Sequence, residues 1–381
     1  MLAEMSDGPA LDIHVPDNLL PADGRFCSGP SKVRAAQADA VAAAGLTLLG
    51  TSHRQAPVKN LVGRVRDGLA ALFELPDGYE VLLGNGGTTL FWDAATFGLV
   101  ERRSQHLSFG EFSSKFASCV KAAPHLEDPQ IIEAPAGTRA DAVAAEGIDL
   151  YALTHNETST GVVTPVVRPS GADPGAIVAV DATSAAGGVA VDPAQFDCYY
   201  FAPQKCFGAD GGLWLALCSP AAVERIERIT ASGRWTPAIL DLGQALTNSR
   251  ANQTLNTPAL SPLIMLAEQL DWMLANGGLP WAAGRSEKSS SILYGWADSS
   301  PFATPFVANP DERSPVVGTI DIDGFDAATL CNVLRHNGVL DTDSYRKLGR
   351  NQIRVGMFPS VEPDDVAALC ATIDYIAERL S

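Results

Sequence analysis

A lysine follows a strongly apolar stretch in DCYYFAPQKCFG. Low-dielectric surroundings weaken an amine's preference for its charged state, so Lys205 is a candidate for imine formation or proton transfer. Taken alone it reads equally well as a solvated loop lysine, since exposed lysines far outnumber catalytic ones. Its neighbours favour chemistry: Gly208, Gly211 and Gly212 mark a tight turn, and LWLAL then returns to the core. Asp181 closes the apolar run of VAVDATSAAGG. A strand-ending aspartate is commonly a cap, but a buried carboxylate there can also keep a heterocyclic nitrogen protonated and so make the ring an electron sink.

LLGNGGTTLFWDAATFGL reads as a strand, a glycine-rich turn and a helix whose first turn carries Thr88 and Thr89. Amides at a helix start suit a phosphate. The spacing matches neither GxGxxG nor GxxxxGK[ST], so a dinucleotide or nucleoside triphosphate is not indicated. Basic residues are scarce, yet Arg346, Lys347, Arg350 and Arg354 fall close together, and Ser52-His53-Arg54 forms a second group. Convergence of the two in one cleft would select a dianionic substrate. Arg354 sits inside the apolar run IRVGMF, where an unpaired charge is costly, so a carboxylate partner is expected from the protein or from a ligand.

These residues require a scaffold that brings distant segments to one edge. Short apolar runs at Tyr79–Leu83, Leu150–Leu153, Ala176–Val180, Tyr199–Phe201 and 212–217 have the character of strands buried on both faces, which indicates the α/β class. Helical spacing of Leu61, Val65, Leu69, Leu72 and Phe73 predicts a helix over 58–74. Ser261-Pro262 predicts a helix start, with Gly277-Gly278 as its end. Beyond it come a strand at Val316–Ile322, a helix at Phe325–His336, a strand at Ile353–Phe358 and a terminal helix. The division expected is an N-terminal arm over 1–30, a large domain over 31–268 and a small α/β domain over 269–381. Ligands of such sheets bind outside the carboxyl ends of the strands, so Thr154–Thr160, Asp181 and Lys205 are expected to line one crevice.

A formal charge of −17 from 27 basic and 44 acidic residues disfavours nucleic acid and anionic membranes as partners. The seven cysteines are scattered without a CxxC pair, suggesting neither a disulfide framework nor a zinc site; no metal is expected. With no membrane-length apolar run, a cytoplasmic protein is expected.

In order, FCSGPSKV, SHR at 52–54, GNGGTT at 84–89, THNETSTGV at 154–162, VDATSAAGG at 180–188, PQKCFG at 203–208 and IRVGMFPS at 353–360 resemble the phosphoserine aminotransferases, class V members of the fold type I pyridoxal-phosphate enzymes. The resemblance implies a large domain with a mostly parallel sheet flanked by helices, and pyridoxal 5'-phosphate as cofactor. It implies that Lys205 carries the cofactor as a Schiff base, that Asp181 faces the pyridine nitrogen and that Thr158 lies on the ring-hydroxyl side. Gly87, Thr88, Gln204 and Ser184 would hold the cofactor phosphate, with Asn256 and Thr257 supplied by the second subunit of a homodimer. Arg354 would take the substrate carboxylate, while His53, Arg54 and one of Arg346, Lys347 and Arg350 would meet the substrate phosphate, with Arg346 the first choice. Phe112 stands where many members have a stacking tryptophan, a smaller π surface that still stacks. The activity implied is amino transfer between phosphoserine and 2-oxoglutarate, giving 3-phosphohydroxypyruvate and glutamate, in serine biosynthesis and in pyridoxine biosynthesis for some relatives. The alternatives are another class V enzyme, such as an alanine–glyoxylate aminotransferase, and a non-catalytic binding protein on the same fold.

Overall fold

The computed structural model describes residues 13–380; the first twelve residues of the expected arm lie outside them. In chain order the strands are β1 (Glu80–Asn85), β2 (Ser104–Ser108), β3 (Gln130–Glu133), β4 (Leu150–Thr154), β5 (Asn156–Glu157), β6 (Val162–Val163), β7 (Ile177–Asp181), β8 (Cys198–Phe201), β9 (Leu213–Cys218), β10 (Ala303–Pro305), β11 (Val317–Ile322) and β12 (Gln352–Gly356). Seven form one sheet in the order β1-β9-β8-β7-β4-β2-β3. Pairing is parallel from β8 through β7, β4 and β2 to β3, and β9 alone runs against its neighbours. The expected mostly parallel α/β architecture is therefore observed.

Period-2 alternation sorts each central strand between two cores. Val178, Val180, Tyr199, Phe201, Leu213, Leu215 and Leu217 enter one, against the helices Ala56–Leu72 and Leu260–Ala275. Ile177, Ala179, Cys198, Tyr200, Trp214 and Ala216 enter the other, against the helices Thr88–Gly98, Ser113–Ala122, Pro220–Ala231 and Leu242–Arg250. A third core lies under the three-stranded sheet β10-β11-β12, beside the helices Ala327–His336 and Pro363–Leu380. Val15 and Phe26 of the N-terminal segment pack into this third core.

Two local readings differ from the structure. The helix expected to start on a Ser261 cap begins at Leu260 behind Ala259, with Pro262 inside its first turn, where a missing N–H costs nothing. After its end, Gly277 takes a left-handed conformation (φ 116) and a 22-residue helix, Gly278–Ser299, follows at once. Leu279 and Ala282 of that helix belong to the first core, whereas Leu293, Tyr294 and Ala297 belong to the third. Residue 268 lies within Leu260–Ala275, so the change of core occurs further along, within Gly278–Ser299. No helix among the described residues is long and apolar enough to cross a membrane.

Far from the crevice, Arg225 is 2% exposed and holds three elements together. Its guanidinium donates to the carbonyls of Leu99 (2.8 Å), Gly175 (3.0 Å) and Asp149 (3.2 Å) and pairs with the Asp149 carboxylate, which itself accepts from the amides of Glu101, Arg102 and Arg103. We predict that Arg225→Met, which keeps the aliphatic stem but strands these acceptors, lowers stability by roughly 2–4 kcal/mol. A urea midpoint unchanged from wild type at equal m-value would contradict this.

Candidate active site

Because β1, β2, β4, β7 and β8 run the same way, their carboxyl ends reach one edge of the sheet. Thr154 pairs with Asp181 at the ends of β4 and β7. Asp181 is 7% exposed, and burial raises its pKa above the ordinary carboxylate value against donors that favour the ionised form. Those donors are the Thr183 amide (3.0 Å) and hydroxyl (2.6 Å) on Oδ1 and the Trp92 indole N–H (2.9 Å) on Oδ2. Lys205 follows β8 in the turn that leads to β9. Its ammonium donates to the Ser28 carbonyl at 2.6 Å, and desolvation, then the positive charge of Arg354, depress its pKa to about 8.

The N-terminal segment crosses directly over this lysine. A methyl group on Gly29 would lie 1.9 Å from Lys205 Nζ, and Gly29 has φ 137, so glycine alone fits there. The strap is tied to the lysine turn by the Ser31 amide on the Gln204 carbonyl (2.8 Å) and the Ser31 hydroxyl on the Lys205 carbonyl.

Thr158 and Ser184 meet at 2.8 Å, and the Asn156 amide also donates to the Ser184 hydroxyl at 2.8 Å. Ser184 Oγ further donates to the Asn156 carbonyl at 3.1 Å, so its hydrogen-bonding capacity is filled inside the protein. Ser184 thus orients Thr158 through a hydroxyl that here donates to the Asn156 carbonyl. Phe112 precedes the helix Ser113–Ala122 and sits at a tilted 5.9 Å from Tyr345. Its placement depends on Glu157, a fully buried carboxylate that accepts the amides of Phe112 (3.0 Å) and Ser113 (2.7 Å) together with the Ser159 amide and hydroxyl.

Arg354, paired with Thr319 between β11 and β12, reaches from the small sheet toward the Thr158 carbonyl (3.4 Å) and lies over the Tyr345 ring. No carboxylate pairs with it among the described residues, which leaves a ligand as the remaining source of the expected partner. Lys347 is engaged by Glu111 and Arg350 by Asp321, whereas Arg346 is exposed and free of partners among the described residues. His53 Nδ1 is 3.2 Å from Thr257 Oγ1, and Arg54 bonds to Gln253, so both belong to the neighbourhood of the 253–257 segment. Asn85, at the end of β1, fixes that segment by donating to the Thr257 carbonyl (2.8 Å) and accepting from the Asn256 amide (3.3 Å). Gly87 caps the helix Thr88–Gly98 with open space around its α-carbon, so the first-turn amides face an accessible cradle.

A match to the Aminotransferase class-V family model spans residues 40–341. The chain belongs to the class V aminotransferases. It is a pyridoxal-phosphate-dependent aminotransferase. A putative phosphoserine aminotransferase of Mycolicibacterium vanbaalenii is 61% identical over 97% of this chain and 100% of its own length. A phosphoserine aminotransferase of Nocardioides sp. is 60% identical over 97% of this chain and 99% of its own. The crystal structure of a phosphoserine aminotransferase from Cytophaga hutchinsonii superposes with a TM-score of 0.85 at 23% identity, over 94% of this chain and 100% of that one, a likeness of fold.

The residues of this class V aminotransferase fit the cofactor by their own unmet needs. Ser28 Oγ, Asn156 Oδ1, Gln204 Oε1 and Arg354 Nε are buried polar atoms without a partner among the described residues, a costly state that a polar ligand relieves. Trp92, Thr183 and Ser28 were not singled out in the sequence, and Glu157 was included only within the Thr154–Thr160 stretch. Trp92 had one detectable signal, since it lies one helical turn after Thr88 and so shares its face.

The depressed pKa of Lys205 carries a sign. At pH 7 the amine is protonated in both folded and unfolded protein, so the folded apoprotein bears the full cost of the buried charge; above about 10.5 it bears none. Lys205→Met should therefore stabilise the cofactor-free protein at pH 7, by about 3 kcal/mol at most, less the cost of leaving the Ser28 carbonyl unpaired. The advantage should shrink as pH rises from about 8 toward 10.5. Denaturation of both proteins at pH 7 and 9.5 tests this; an advantage that grows with pH would refute the burial account.

Proposed function

We propose that the chain interconverts phosphoserine plus 2-oxoglutarate with 3-phosphohydroxypyruvate plus glutamate, as a homodimer with shared active sites. The observation that carries the substrate assignment is the full-length identity of about 60% to relatives named for that activity. The site supports it through the largely buried Arg354 guanidinium, which has no carboxylate partner among the described residues.

Pyridoxal phosphate, when bound, supplies a carbonyl for the substrate amine and a ring that accepts electrons from the substrate α-carbon. The chain's own residues do the rest. Asp181, fixed by three donors, keeps the ring nitrogen protonated. Lys205 Nζ, with a pKa near 8, has a substantial neutral fraction at physiological pH and can take the Cα proton and return it. Arg354 binds the carboxylate of either amino donor, which explains how one pocket serves both substrates. Arg346, with His53 and Arg54, takes the phosphate of phosphoserine. The first-turn amides at Gly87 and Thr88, with Gln204, would hold the cofactor phosphate, and Phe112 would offer its ring a stacking surface.

Asn256 and Thr257 are exposed on a segment that Asn85 and His53 hold in place, which supports a role toward a second subunit. On this reading they complete the partner's phosphate site.

A coupled assay comparing amino donors tests the substrate class. Phosphoserine should exceed serine, alanine and aspartate in kcat/KM by at least about 100-fold, the scale expected when a site built for a charged group meets substrates lacking it. Preference for alanine would instead support the alanine–glyoxylate alternative.

Shared sites make a separate prediction. Mixing inactive Lys205→Ala with the weakened Asn256→Ala/Thr257→Ala variant under subunit exchange creates dimers with one site carrying both defects and one carrying neither. Activity should rise toward half that of wild type per mixed dimer. Exchange confirmed by sizing, with activity still at the parental level, would rule out contribution across the interface.

A further inference from the structure

Trp92 is one of the three donors to Asp181, without a role of its own in the steps above. Its indole N–H donates to Asp181 Oδ2 at 2.9 Å, with both side chains 7% exposed. Thr183 supplies two hydrogen bonds to Oδ1 and so fills that oxygen, because each carboxylate oxygen offers about two lone-pair sites. Oδ2 accepts from Trp92 and retains one site. The same helix, Thr88–Gly98, presents Thr88 one turn before Trp92 on the same face, and Thr88 Oγ1 lies 2.8 Å from Thr183 Oγ1.

We infer that Trp92 is a positioning residue for Asp181: it fixes Oδ2 as the oxygen facing the cofactor nitrogen, and the turn from Thr88 to Trp92 sets the distance between the phosphate cradle and that carboxylate. This rests on the pyridoxal-phosphate reading of the site, and its consequence is chemical as well as geometric. A donor on Oδ2 favours the ionised carboxylate. Without it, in a buried setting, the proton shared between the ring nitrogen and Asp181 moves toward the carboxylate, leaving the ring neutral and a poorer electron acceptor. Atoms and charge balance, since one proton changes sides within the pair.

Trp92→Phe removes the N–H while keeping an aromatic body. The holoenzyme is reconstituted with pyridoxal phosphate labelled with 15N at the ring nitrogen. In wild type the resonance should sit at the protonated position; in Trp92→Phe it should move toward the unprotonated position, cofactor retention should weaken about tenfold, and kcat should fall with little change in KM. Circular dichroism should be unchanged. An unshifted resonance would overturn the inference, even with a lower melting temperature, because a purely packing role affects stability without moving the proton. Should Trp92→Phe fail to fold, benzothienylalanine at position 92 keeps the indole shape without the N–H and is read the same way. Asp181→Asn is the control that separates the two levels. If it shifts the resonance and Trp92→Phe does not, only the Trp92 inference fails; if neither does, the assignment of Asp181 to the ring nitrogen fails first.

Discussion

Burying a carboxylate at the end of an apolar strand is costly unless its oxygens are met, and the site is organised around meeting those of Asp181. The requirement draws in three residues from two parts of the chain. Thr183 comes from the turn after β7, Trp92 from the helix after β1, and Thr88 reaches Thr183 from that helix's first turn. The parallel arrangement of β7 between β4 and β8 then sets Thr154 beside Asp181 and brings the Lys205 turn to the same edge. Lys205 and Arg354 are also desolvated there, so each charge depends on what the crevice binds.

Legibility from sequence followed the strength of the hydrophobic signal. β4, β7, β8 and β9 are uniformly buried, and the apolar runs of β4, β7 and β8 end next to the residues that carry chemistry. β2, with the sequence SQHLS, had no such signal. Its Gln105 and His106 are nonetheless buried, since Gln105 bonds to Gln130 and the Val143 carbonyl while His106 meets Ser104 at 2.7 Å. Interior polar groups paired across strands leave no mark in a hydropathy pattern. The contacts of Glu157 and Trp92 were hidden for a different reason: they join segments 44 and 89 residues apart, and only tertiary structure specifies them.

Among the clustered bases, three-dimensional context separated residues that spacing could not. Lys347 and Arg350 have carboxylate partners within the protein, and Arg354 does not although it is largely buried. In a chain of net charge −17, the desolvated Lys205 and Arg354, close enough that Arg354 depresses the Lys205 pKa, give the crevice a local potential opposed to that of the surface. Salt should therefore affect ligand capture there differently from its effect on the bulk of the molecule.

The strap over Lys205 belongs to both ends of the chain. Leu340 donates to the Gly24 carbonyl at 2.7 Å, and Gly356 donates to the Phe26 carbonyl at 2.7 Å, before the same segment passes on to Ser28 and Gly29 above the lysine. During synthesis residues 24–29 leave the ribosome long before residues 338–356. The lysine turn, the aspartate strand and the Ser31 ties of the strap can assemble in a nascent large domain, but the outer anchors at Gly24 and Phe26 wait for residues 340 and 356 to emerge. Fastening the strap is thus a two-stage event in the life of the polypeptide, and a chain truncated before residue 338 would hold the cover over its amine at the Ser28–Ser31 end alone.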